Sequence, residues 1–359
     1  MPVTGSGVHQ FVPMLHRADA VGRHTLRLRE VLERRGVESR IYVDLVDPDT
    51  ASETRPYTSY PAEARPGDVL VYQFATASAM ANWLARRPET LVVNYHNVTP
   101  PEFYAPWDNG LARHQLRAQL ELRLLAPRAA LGLAVSAFNE TELLGAGFVR
   151  TAVVPPAAML PAPTTPGRRP RPATGAQWIT VGRLAPNKAI EDALRALVVT
   201  RAHHDPGATL EVVGRPDVAS YERALHRYAD ELGLRRAVVF RGARSDGQVG
   251  AALAAAGVYV ATSRHEGFGV PVLEAMASGL PVVANAAGAL PEVVGGGGVL
   301  VDAADPYALA GAVARVLGDE GERARLAQAS AQRLEVLDLA SAADRAVDLM
   351  LSLGGVRPT

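Results

Sequence analysis

The chain has 359 residues, 48% of them hydrophobic, with 37 basic and 37 acidic side chains that bring the formal net charge to zero. This length exceeds one ordinary core and favours two domains, and the charge balance excludes a nucleic-acid binder built on a basic surface. With no cysteine in the chain, disulfides and thiolate metal sites are excluded, and a reducing cytoplasmic setting is the expectation.

The opening MPVTGSGVHQFVP has neither the basic start nor the apolar run of a secretion signal. No apolar stretch reaches the ~18 residues of a membrane span. Short β-rich runs at 8–12, 39–43, 68–73, 91–96, 129–136 and 151–156 then alternate with helical stretches such as 22–36 and 111–126. This is the rhythm of a parallel sheet covered on both faces. Asp47-Pro48-Asp49 mimics an acidic metal motif but reads as a turn after a strand. The proline-dense 155–175 reads as an inter-domain linker. Beyond it the rhythm restarts with strands at 178–182, 209–214, 237–242, 258–263, 281–286 and 298–302, and the chain closes on helical 305–317, 321–336 and 341–354. The expected fold class is α/β, with two doubly wound domains.

In such sheets ligands bind beyond the carboxyl ends of the strands. There the second half carries Gly182-Arg183, Gly214-Arg215 and Gly242-Ala243-Arg244. Glycine admits close backbone approach and arginine suits an anion, so three such pairs in succession point to a phosphorylated ligand. Next comes 264-RHEGFGVPVLEAMASGLPVVA-284, a tight turn running into a helix near Pro271. Amides at such a turn and helix start form an anion site. Glu266 precedes that helix and Glu274 lies about one turn inside it; two carboxylates beside an anion site need hydroxyls or a cation to hold. Lys188 is the only lysine, the other 36 basic residues being arginine. Either chance retained it, or a site wants a compact ammonium on a flexible stem.

The second half resembles the retaining glycosyltransferases of family 4, which have the GT-B fold. The residues that carry the resemblance are Arg183 and Lys188 (R-x4-K), Glu266 and Glu274 (E-x7-E), the surrounding EGFG-x-P-x-LEAMA, and 289-ALPEVV-294. The resemblance is strong over 175–335 and extends by element rhythm to the whole chain. It implies two Rossmann-like domains facing across a cleft: an acceptor-binding domain over 1–160, a linker over 161–175 and a nucleotide-sugar-binding domain over 176–338. A C-terminal helix over 339–359 would pack back on the first domain. Arg183 and Lys188 would hold the donor diphosphate, Glu266 the donor sugar and Glu274 the ribose. Backbone groups of Gly267, Phe268, Gly269 and Val270 would meet phosphate or sugar oxygens, Gly182, Gly214 and Arg215 would line the donor site, and Ala243 and Arg244 would approach the base. His96, at a strand end in 93-VNYHNVTP-100, would face the donor sugar. The implied chemistry is metal-independent, cofactor-free transfer with retention by front-face displacement.

The first half conforms less. Relatives carry a Gly-Gly loop after the first strand; here 13-PMLHRADAVGRH-24 offers only Gly22 for a phosphate or acceptor contact, and 155-PPAAM-159 replaces the usual last turn. Tyr95, Tyr104 and Trp107 fall in an aromatic-rich stretch that reads either as packing or as an acceptor platform. Relatives often rest on membranes through a basic amphipathic helix, and 111–126 is arginine-rich. Residues 1–165 nevertheless balance 16 Arg against 16 Asp and Glu, so a soluble enzyme with at most transient, peripheral membrane contact is the expectation. A glycogen-type phosphorylase is disfavoured because its cofactor lysine would have to be Lys188. A non-catalytic nucleotide-sugar-binding subunit is the alternative to an enzyme. Donor nucleotide, sugar, acceptor and oligomeric state stay open at this level.

Overall fold

The computed structural model describes residues 5–17, 19–157 and 177–353. Among these the chain forms two compact units: residues up to 102, 110–157 and from 338 onward make the first, and 103–109 with 177–337 the second. The linker expected over 155–175 falls, past residue 157, outside the described residues.

The first unit is built on seven parallel strands. These are β1 (Val8–Val12), β2 (Ile41–Val43), β3 (Thr54–Pro56), β4 (Val69–Phe74), β5 (Thr90–Tyr95), β6 (Ala129–Ala134) and β7 (Thr151–Val153), in the order β3-β2-β1-β4-β5-β6-β7. Their near-continuous apolar runs are those of strands buried on both faces, and β1 and β4 are buried at every residue. The edge strand β3 has no such run; its sequence is Thr-Arg-Pro, and proline is tolerated only at an edge. One face is covered by Leu28, Val31 and Leu32 of the helix Ala20–Arg34 and by Ala342, Ala346, Val347 and Met350 of the helix Leu339–Leu351. Arg35 ties the two helices by donating to Asp344 at 2.7 Å. The other face packs Leu84, Leu122 and Leu125 against Tyr72, Phe74 and Val93.

The same sheet encloses a polar ladder. Gln10 Nε2 donates to the Thr25 carbonyl (2.9 Å), Gln73 Nε2 donates to Gln10 Oε1 (2.9 Å), and Asn94 Nδ2 donates to Gln73 Oε1 (3.0 Å). All three amides are buried, so each needs the partner it has. Asp47-Pro48-Asp49 is a turn, as read: Asp47 accepts from the Asp49 amide at 2.9 Å and opens the 3-10 helix Pro48–Thr50.

The second unit holds six parallel strands: β8 (Gln177–Val181), β9 (Thr209–Val213), β10 (Val238–Gly242), β11 (Val258–Ala261), β12 (Val282–Asn285) and β13 (Gly298–Val301). Their order is β10-β9-β8-β11-β12-β13, so the winding reverses between β8 and β11. That reversal point is where doubly wound sheets bind ligands. Residues 103–109, expected within the first domain, belong to this unit. Trp107 stands edge-on to Tyr221 with centroids 5.0 Å apart, and Ser220 Oγ donates to the Trp107 carbonyl at 3.0 Å.

Candidate donor-binding site

Two loops leave the sheet at the reversal, and hydrogen bonds stitch them together. After β8, Gly182-Arg183 lead to the 3-10 turn Pro186–Lys188. After β11, the chain runs through Thr262 to Glu266 and into the helix Val270–Ala277. The Arg264 amide donates to the Asn187 carbonyl (2.8 Å), Asn187 Nδ2 to the His265 carbonyl (3.0 Å), and Thr262 Oγ1 to the Lys188 carbonyl (2.9 Å). Arg264 clamps Asp192 through both carboxylate oxygens at 3.0 and 2.8 Å. These bonds bring Lys188 beside Glu266 although 78 residues separate them: the ammonium is ion-paired with Glu266 Oε2. Ser263 Oγ donates to the same oxygen at 3.3 Å.

Gly182, Arg183, Lys188, Glu266 and Gly269 line one pocket together with Tyr259, Ser263 and Pro271. Gly269, at positive φ, caps the helix Val270–Ala277 without a side chain. No side chain therefore caps the first turn of this helix. Glu274 lies in the second turn of that helix, half-buried. Gly288 explains the closeness of the later Ala-Leu-Pro-Glu motif: a Cβ there would come 2.7 Å from the Glu266 backbone.

Arg183 donates to Asp217 Oδ2 at 2.6 Å, and its side chain is 45% exposed. Tyr104 donates to the same oxygen at 2.8 Å. Burial pushes the Tyr104 hydroxyl up to about 12, so it remains a donor. Asp217 was not singled out from the sequence, where it is one acidic residue in a post-strand turn. Gly214 is accounted for by packing, since a Cβ there would lie 1.7 Å from the Gly182 carbonyl oxygen. Arg215, Ala243 and Arg244 are exposed on the loops after β9 and β10, and Arg244 donates to the Ala243 carbonyl at 2.9 Å.

The remaining first-half candidates belong to the first unit, apart from Tyr104 and Trp107. His96 follows β5, half-buried, with Nε2 bonded to Gln73 Oε1 at 2.7 Å and its ring 5.1 Å from that of His24. Burial first, and His24 second, hold His96 well below the usual imidazole range; burial takes His24 down to about 4. Gly22 is a packing glycine. Its amide donates to the helix-capping Asp19 at 2.6 Å, and a Cβ would lie 1.7 Å from the His16 carbonyl oxygen. That amide is already used within the cap.

Tyr95 and Tyr104 are buried, which removes the ring faces that an acceptor platform requires. Tyr95 instead donates to Glu142 at 2.9 Å, Asn97 Nδ2 donates to the same oxygen at 2.9 Å, and burial raises the Glu142 carboxyl to about 7.

Residues 164–333 match the family model described as glycosyl transferases group 1. The glycogen synthase of Mycobacterium tuberculosis is 32% identical over 266 residues, covering 70% of this chain and 63% of that protein. The D-inositol 3-phosphate glycosyltransferase of Salinispora tropica is 38% identical over 161 residues, 43% of this chain and 33% of the relative. The chain thus spans less than two thirds of the length of these curated relatives. Among solved structures, Anabaena HepE in complex with UDP and glucose superposes with a TM-score of 0.74 at 20% identity, over 96% of this chain and 100% of that one. Sucrose-phosphate synthase from Thermosynechococcus elongatus gives 0.74 at 19%, over 96% and 99%. Residues 164–333 are thus similar to the glycosyl transferases group 1 family, and the two parallel-sheet α/β domains have the GT-B fold.

Proposed function

We propose that this protein is a glycosyltransferase that moves a sugar from a nucleoside-diphosphate donor to an acceptor hydroxyl with retention of configuration. The observation that carries the proposal is the pocket at the β8/β11 reversal, where Lys188 and Arg183 stand beside the open turn of the helix Val270–Ala277. Two cations and a helix start neutralise a diphosphate and the charge that grows on it as the sugar leaves. Each cation is held by a carboxylate, Lys188 by Glu266 and Arg183 by Asp217. An entering diphosphate takes over the Lys188 ammonium and frees Glu266 to accept from sugar hydroxyls. Glu274 is assigned to the ribose, and His96, kept neutral, to the transferred sugar. The family match and the relatives named as glycosyltransferases support the reaction class.

Glu266 is engaged by Lys188 and Ser263, which suits hydroxyl recognition rather than nucleophilic attack. The proposed transfer is therefore front-face, with the departing phosphate taking the acceptor proton. Because Arg183 and Lys188 carry the charge neutralisation, the reaction is assigned to proceed without a metal or organic cofactor. The test is a panel of nucleotide sugars assayed for nucleoside diphosphate release, with and without EDTA. Turnover of at least one donor that survives EDTA is expected. Binding without turnover of any donor would instead identify a nucleotide-sugar-binding subunit.

A second partner is proposed from the helix Asn109–Leu125. It exposes Leu116, Leu120 and Leu124 (48, 58 and 41%) beside exposed Arg113, Arg117 and Arg123, and no exposed acid interrupts that face. This combination suits an anionic lipid surface. No helix among the described residues is long and apolar enough to cross a membrane.

A further inference from the structure

Arg183 is the more exposed cation of the pocket, and a long exposed side chain loses rotamer freedom when it must meet a phosphate in one geometry. What holds it is a single carboxylate oxygen shared between two donors: Asp217 Oδ2 accepts from Arg183 Nη1 at 2.6 Å and from Tyr104 Oη at 2.8 Å. Backbone pairing sets the separation of the two loops. Leu184 donates to the Arg215 carbonyl (2.9 Å) and Asp217 donates back to the Leu184 carbonyl (3.1 Å). The Asp217 backbone is therefore fixed to the loop that carries Arg183, and its side chain is 23% exposed.

Tyr104 is fixed in its turn. The amides of Trp107 and Asp108 both close on the Tyr104 carbonyl at 2.8 Å, and Trp107 is pinned by Ser220 and Tyr221. On the other side of this short segment the Phe103 ring lies 6.2 Å from that of His265, the neighbour of Glu266. The strap 103–109 thus reaches both sides of the pocket within the second unit.

We propose that Asp217 and Tyr104 are positioning residues for the diphosphate: Asp217 orients the Arg183 guanidinium, and Tyr104 holds the Asp217 carboxylate so that only one of its oxygens engages the fork. With the tyrosine hydroxyl removed, Asp217 is free to turn and take Arg183 in the bidentate geometry that carboxylate and guanidinium favour, withdrawing the cation from phosphate. The inference rests on the donor-binding role proposed for this pocket.

Two measurements test it. The first needs no substrate: rotation of the Arg183 guanidinium followed by nitrogen NMR on arginine-labelled protein, the signal identified by its loss in Arg183→Lys. Restricted rotation is expected in the native protein, with altered rotation in Tyr104→Phe and faster rotation in Asp217→Asn. Free rotation in the native protein would overturn the proposal whatever the substrate is. The second measures kcat and KM for the donor. Asp217→Asn and Tyr104→Phe are each expected to lower kcat about tenfold, the effect of one charge-assisted hydrogen bond, at a nearly unchanged melting temperature. Asp217→Glu should recover part of the loss, and neither substitution should cost anything further in an Arg183→Ala background. Native kinetics in Asp217→Asn, or an undiminished loss in the Arg183→Ala background, would contradict it. Restricted rotation in a protein that binds no nucleotide sugar would sink the functional reading and leave the Asp217–Arg183 arrangement standing.

Discussion

Lys188 shows what a residue-level reading can and cannot reach. Its isolation among arginines and its five-residue spacing from Arg183 are visible in the sequence. Its direct ion pair with Glu266 is not, because two loops 78 residues apart create it through Asn187 and Thr262. Asp217 was invisible for the same reason: nothing in a post-strand turn says which side chain will face an arginine 34 residues away. Lys188→Ala is expected to lower turnover about a hundredfold or more, the scale of losing one preorganised group on a developing charge. Lys188→Arg should recover little of it, since a planar fork does not fit where an ammonium sits. Steady-state kinetics on both variants checks this.

The buried histidines give a prediction in pH. His24 titrates near 4 in the fold against 6.5 in the unfolded chain, and His96 is also lowered. Between those values the unfolded chain binds more protons, so stability falls as pH drops from 6.5 toward 4. Glu142 acts in the opposite sense. Raised to about 7 from 4.5, its proton stabilises the fold below 4.5, and that contribution is lost as pH rises through 7. Two histidines against one carboxyl leave a net loss of stability between pH 7 and pH 5. Melting temperatures should show it, flatter in His24→Gln and steeper in Glu142→Gln.

At the scale of elements, most strands were legible because a strand buried on both faces must be a continuous apolar run, as β4 and β5 are. β3 was not, because an edge strand of Thr-Arg-Pro carries no such signal. The helix starting at Ala20 was placed two residues late; Asp19 caps it. Of the strand-end glycines expected to admit a ligand, Gly214 is required by the neighbouring backbone, whereas a Cβ at Gly242 would meet nothing within 4 Å. Gly214→Ala should cost several kcal/mol in chemical denaturation, since its Cβ would meet the Gly182 carbonyl at 1.7 Å. The exposed face of the helix Asn109–Leu125 was legible only in its arginines; the leucine stripe needed the fold to show which side is uncovered. Replacing Leu116 and Leu120 with glutamate should abolish flotation with anionic vesicles at unchanged melting temperature. Equal flotation of the variant, or none by the native protein, would remove lipid contact from the account.

For the whole molecule, chain order and unit membership part company twice. Residues 103–109 lie in the second unit, and the helix Leu339–Leu351, at the other end of the sequence, completes the first. A chain ending at residue 337 would strip Ala342, Ala346, Val347 and Met350 from the first core. By apolar area this is a loss of roughly 5 kcal/mol, an upper estimate, and the first unit's melting transition should move down accordingly. The central claim is that one pocket of the second unit holds a nucleoside diphosphate between Arg183 and Lys188. Calorimetric titration of the native protein and of Lys188→Ala with UDP and GDP measures it most directly. The account predicts saturable binding of one of them, weakened about tenfold or more by the substitution while the fold melts unchanged. Equal affinity in the two proteins, or no binding of either nucleotide, would contradict it.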